Sequence, residues 1–67
     1  MKIDVKKLEM AMACACMNAS EIASKAEISR QTVATAKQGK RIGPATVGKI
    51  AKALGVDPEE IIEKDDE

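Results

Sequence analysis

From Ser29 to Arg41 the chain reads Ser-Arg-Gln-Thr-Val-Ala-Thr-Ala-Lys-Gln-Gly-Lys-Arg, a run of hydrogen-bonding side chains without a carboxylate. At about 100° per residue of helix, Val33 and Ala36 mark one side. Gln31, Thr35 and Gln38 lie opposite, with Ala34 beside them and Arg30 at the edge in the first turn. The chemistry open to this set is the reading of base edges in a duplex. Gln pairs bidentately with adenine, Arg with guanine, and Thr offers a hydroxyl or a methyl group. Lys37, Lys40 and Arg41 follow where phosphates would lie. An arbitrary amphipathic helix also shows water a polar face. The short turn before this helix and the absence of acid favour nucleic acid.

Other chemistries find little support. Ser20, Ser24 and Ser29 have no His to activate them, because the sequence contains none. Glu21 and Glu27 fall on different sides of any helix that would carry both, so they make no acid–base pair. Cys14 and Cys16 also lack a His partner, and on a helix they point about 200° apart. They can neither share a metal nor form a framework disulfide. They read as buried or half-buried small hydrophobes in a reducing compartment, which suggests a cytoplasmic, non-enzymatic protein without metal or cofactor.

The chain has 67 residues, 45% of them hydrophobic and 33% charged, with no aromatic side chain. A domain this small buries only about 60% of its unfolded surface, leaving little room for a deep catalytic pocket. Recognition of single strands or RNA by stacking on aromatics is excluded. No stretch approaches the roughly 20 apolar residues of a membrane span, and no signal-peptide pattern opens the chain. The net charge of zero hides an asymmetry: residues 1–56 hold ten Lys or Arg against four acids, and residues 57–67 hold seven acids against Lys64. A basic body suits a polyanion. Residues 1–63 read as one domain, and 64–67 as an acidic, disordered tail.

The elements that must position these side chains are helices. A hydrophobic residue precedes a capping residue, and a second hydrophobic follows five positions after the first, in the pattern of a hydrophobic staple. The pairs are Ile3 and Leu8 around Asp4, Met17 and Ile22 around Asn18, Ile28 and Val33 around Ser29, Ile42 and Val47 around Gly43, and Val56 and Ile61 around Asp57. Glu21 completes a capping box with Asn18. Pro44 and Pro58 fall at first helical positions, and Gly39 and Gly55 where helices should end. The spacing predicts five helices, over about 5–16, 19–26, 30–38, 44–54 and 58–63. No segment alternates like a strand. The candidate core is Leu8, Ala11, Met12, Ala15, Ile22, Ala23, Ala26, Val33, Ala36, Val47, Ile50, Ala51, Leu54, Ile61 and Ile62. Only Glu27 and Ile28 separate the second helix from the Ser29 cap, which is the tight connection of a helix-turn-helix.

On these residues the chain, from about 5 to 62, resembles the Cro/cI-type helix-turn-helix family, also called XRE or lambda-repressor-like. Asn18-Ala-Ser-Glu-Ile-Ala-Ser-Lys-Ala-Glu-Ile-Ser-Arg-Gln-Thr-Val33 has that family's cap, Ile-Ala pair and Ser-containing turn. Gly39-Lys40-Arg41 matches its loop after the recognition helix, and Ile50-Ala-Lys-Ala-Leu-Gly-Val-Asp-Pro58 with Glu59, Glu60 and Ile61 matches its last two helices. The resemblance implies a compact all-α, five-helix domain that binds operator DNA as a homodimer on a palindrome. It makes Arg30, Gln31 and Thr35 base readers. Asn18, Ser29, Gln38 and Lys40 become phosphate contacts, and Arg41 reaches the backbone or minor groove.

Three departures from the family pattern stand out. Glu27 stands where a turn glycine is usual, at a cost of about 1 kcal/mol if the backbone is kept. Met12 and Lys37 replace a usual Arg–Glu pair, which leaves no orphaned buried charge and frees Lys37 for DNA. Ala34 and Ala36 thin the recognition helix. The expected function is sequence-specific regulation of transcription as a repressor, with double-stranded DNA as partner. The alternative is a protein-binding module on the same fold, such as an antitoxin-like partner. One short helix contacts too few bases for a typical specific affinity, which also points to a dimer. The apolar end around Val56, Ile61 and Ile62 is the expected dimer surface.

Overall fold

The computed structural model describes residues 2–63. Four α-helices, α1 (Val5–Ala15), α2 (Ala19–Ala26), α3 (Arg30–Lys37) and α4 (Pro44–Leu54), precede one 3-10 turn at Pro58–Glu60. Three helices start on side-chain caps. The Asp4 carboxylate accepts from the Lys7 N–H at 3.2 Å, the Asn18 amide oxygen from the Glu21 N–H at 2.8 Å, and the Ser29 hydroxyl from the Thr32 N–H at 3.0 Å. Each satisfies a donor that the helix itself leaves unpaired. Gly43 caps α4 without a side chain, with Pro44 at the first helical position.

The stapled hydrophobics meet in one place. Leu8, Ile22, Val33, Val47 and Ile61, the second member of every pair, are all buried, together with Ile3, Ala36, Ile50 and Ala51. Met17, Ile28, Ile42 and Val56 pack half-buried against them. Among the described residues no polar or charged side chain is buried. Ala11, Met12, Ala15 and Ile62, expected in the core, stand half-buried at its margin, while Ile3 and Ala53 are buried. α2 packs on both α3 and α4, α1 touches α3 and α4, and the 3-10 turn lies on α4.

Three expectations are corrected. The fifth helix does not form: four α-helices are present, and the segment after Asp57 makes only the 3-10 turn. Ile61 leaves helical geometry at φ −123°. Its carbonyl accepts from the Asp4 N–H at 2.8 Å, and the Glu63 N–H donates to the Lys2 carbonyl at 2.9 Å. Antiparallel bridges pair Ile3 with Ile62 and Lys2 with Arg41. Backbone groups that would extend a helix are thus given to an extended strap at Lys2–Asp4. Ile61 is wholly buried, so it cannot belong to a dimer surface. Cys14 and Cys16 are exposed free thiols rather than small core hydrophobes. Cys14 lies off the inward stripe of α1. Cys16 follows its end in left-handed geometry at φ 55°, where the chain turns as the Met17 N–H reaches the Met12 carbonyl at 3.0 Å. The acidic tail expected at 64–67 lies outside the described residues.

Glu27 ends α2 at φ 59° and ψ 45°, in the left-handed region. The Ile28 N–H closes back on the Ala23 carbonyl at 3.0 Å, which fixes the turn into α3. A non-glycine residue here costs about 1 kcal/mol. Glu27→Gly should therefore stabilise the domain by about 1 kcal/mol, raising its melting temperature by about 4–8 °C in a thermal scan. Cys14→Ser, at an exposed helical position, should shift it little in the same scan.

Candidate nucleic-acid interface

α3 faces the core with Val33 and Ala36, which are 1% and 0% exposed. That anchoring fixes its rotation and turns Arg30, Gln31, Ala34, Lys37 and Gln38 to solvent. None of the exposed residues from Ser29 to Arg41 carries a negative charge. Gln38 caps the helix, and Gly39 turns the chain at φ 77°. The Lys40 N–H reaches back to the Thr35 carbonyl at 3.4 Å, tying the loop to the helix end. Lys40 and Arg41 follow as exposed cations. The structure thus gathers Arg30, Gln31, Lys37, Gln38, Lys40 and Arg41 on one helix and its following loop. Asn18 sits on a different element, at the start of α2.

Internal hydrogen bonds decide which atoms remain for a ligand. The Ser29 oxygen accepts the Thr32 N–H and lies 2.8 Å from the Thr32 hydroxyl. When Thr32 donates in that pair, the Ser29 proton is free to point outward. The Asn18 oxygen is held by the Glu21 N–H, and the Glu21 carboxylate accepts the Asn18 backbone N–H at 2.9 Å. The amide NH2 of Asn18 is left to donate. Thr35 differs. It is half-buried, and its hydroxyl donates to the Gln31 carbonyl at 3.0 Å. Only its lone pairs and methyl group are open to a base edge, so it can accept from an adenine or cytosine amine or touch a thymine methyl.

The departures at Met12 and Lys37 are accommodated locally. Met12 is half-buried against the core, and Lys37 is exposed in the last turn of α3. One cation escaped the sequence reading. Lys2 lies directly across an antiparallel bridge from Arg41. No local sequence pattern announces this pairing, which joins residues 2 and 41, 39 apart along the chain.

Comparison with known proteins agrees with this geometry. The family model described as the Cro/C1-type HTH DNA-binding domain matches residues 7–67. No curated protein matches the chain, and no solved structure does.

The cap at Ser29 separates folding from ligand binding. Ser29→Ala should lose about 1 kcal/mol of stability. Ser29→Asp keeps a capping oxygen at a helix N-terminus and should melt near the wild type. It should nevertheless bind duplex DNA more weakly than wild type in a titration, because its carboxylate would face phosphate.

Proposed function

The chain belongs to the Cro/C1-type HTH DNA-binding domain family, and from that premise we propose that it is a sequence-specific regulator of transcription, most simply a repressor. α3 enters the major groove. Arg30 and Gln31 read base edges by bidentate hydrogen bonds, and Thr35 contributes its acceptor and methyl surface. Asn18 and Ser29 donate to phosphates from the two helix N-termini, where the helix dipole also favours an anion. Lys37, Gln38, Lys40 and Arg41 carry the backbone contacts that follow the recognition helix. The observation that carries this reading is the acid-free outer face of α3, fixed by the burial of Val33 and Ala36.

A domain this small regulates most directly by occupying DNA and excluding other proteins from it. α3 spans eight residues and reaches few base pairs. Specific binding then calls for two copies on a palindromic site, so we propose a homodimer on DNA. No described helix is long and apolar enough to cross a membrane.

Selection of bound duplexes from a random pool tests the proposal. It should return an enriched motif with two half-sites about one helical turn apart. Gln31→Ala should relax base preference at one position per half-site, by about 1–3 kcal/mol of discrimination. Lys40→Ala should weaken all sequences about equally and flatten the salt dependence. A pool that yields no motif would refute specific regulation. Capture of one stoichiometric protein partner, without duplex binding at low salt, would instead support the protein-binding reading.

A further inference from the structure

We infer that Lys2 and Arg41 together form a site for a backbone phosphate of duplex DNA, with the extended strap at Lys2–Asp4 supplying the second cation. The inference rests on the DNA-binding reading and extends it to a part of the chain far in sequence from α3. Lys2 and Arg41 are directly opposite each other across an antiparallel bridge. Opposed residues in such a pair project from the same face with Cβ atoms about 4.5–5.5 Å apart. Both side chains are exposed, and the adjacent Ile3 is wholly buried, so alternation along the strap turns Lys2 outward.

The backbone of the strap is held along its other edge. The Lys2 carbonyl accepts from the Glu63 N–H at 2.9 Å, and the Asp4 N–H donates to the Ile61 carbonyl at 2.8 Å. The backbone that carries Lys2 is therefore held in place. The same register sets Glu63 level with Lys2 on the edge away from Arg41. Among the described residues, neither Lys2 nor Arg41 forms an ion pair. Two cations held this close repel each other, and an anion between them relieves that repulsion. With Lys40 preceding Arg41 and α3 just before it, the anion this arrangement suits is a phosphate of the strand that α3 flanks. Glu63 bounds the site on its far side, which places the phosphate between Lys2 and Arg41.

The test uses the full chain and a mixed-sequence duplex, with affinity measured across a range of salt. Lys2→Ala should reduce the slope of log affinity against log salt by about 1, the share of one phosphate contact. Over an about fourfold rise in salt, the variant should lose about threefold less affinity than wild type. Lys2→Arg should restore the slope. Lys2→Glu should bind more weakly than Lys2→Ala, because its carboxylate would repel a backbone phosphate. A Lys2→Ala protein with wild-type affinity and slope overturns the inference and leaves the DNA reading standing. Affinity lost at an unchanged slope, or not regained with Lys2→Arg, overturns it as well, since that pattern marks a structural role. A wild-type chain with no salt-dependent duplex binding overturns both.

Discussion

Each of the four helices is oriented by the burial of one hydrophobic residue in its first turn, and the 3-10 turn by the residue that follows it. Leu8, Ile22, Val33, Val47 and Ile61 each follow a cap or turn, and all five meet in one apolar core. The arrangement is economical for a chain without aromatics. Each segment contributes one to three branched aliphatic side chains, and alanines such as Ala23, Ala36 and Ala51 let the helices approach closely. It also makes the exterior depend on the interior. α3 is only eight residues long, so Val33 and Ala36 alone decide which side chains it shows to water. A rotation by one residue would bring Ala34 inward and expose Val33, giving up about 1.5–3 kcal/mol of burial.

The connection between α2 and α3 carries the cost of this arrangement. Glu27 takes a left-handed conformation that glycine would adopt without strain. The turn forms anyway because the Ile28 N–H closes on the Ala23 carbonyl and Ile28 packs against the core. Tertiary burial outweighs a local penalty of about 1 kcal/mol. Cys16 presents the same case at the end of α1. Two non-glycine residues in this region mark the corners where packing overrides local preference.

What could be read from the sequence divides along the same line. Caps, staples and helix stripes are local, involving residues three to five apart, so the bounds of α2 and α4 follow from sequence alone. The outward set Arg30, Gln31 and Gln38 follows too, because it needs only the phase of one helix. The strap was not legible. Its pairing joins residues 2–4 to Arg41 and to residues 61–63, and no local pattern announces a partner so distant along the chain. For the same reason the Val56–Ile61 staple was found correctly while the helix expected from it was not. Burial of Ile61 requires only the turn at Asp57, and the strap then claims the backbone that a helix would have used. Thr35 was half legible. Its place on the helix is set by periodicity, but its inward-bonded hydroxyl depends on a rotamer.

The hydrogen bonds within the interface point to the sign of its ligand. Capping consumes acceptors: the oxygens of Asn18 and Ser29 are taken up by helix N–H groups. What these residues have left to offer is donors, the amide NH2 of Asn18 and, when Thr32 donates in the hydroxyl pair, the proton of Ser29. The unpaired N–H groups and positive dipole end of each helix add to the same sign. Lys37, Lys40 and Arg41 only donate. A surface so biased toward donation suits a ligand rich in acceptors and negative charge, as the phosphate backbone is. Thr35, with its donor spent on Gln31, is the exception, and it lies on the face proposed to meet base edges, where both donors and acceptors occur. Folding and recognition thus draw on the two ends of the same polar groups. The side chains that start the helices therefore recur among those proposed to hold the DNA.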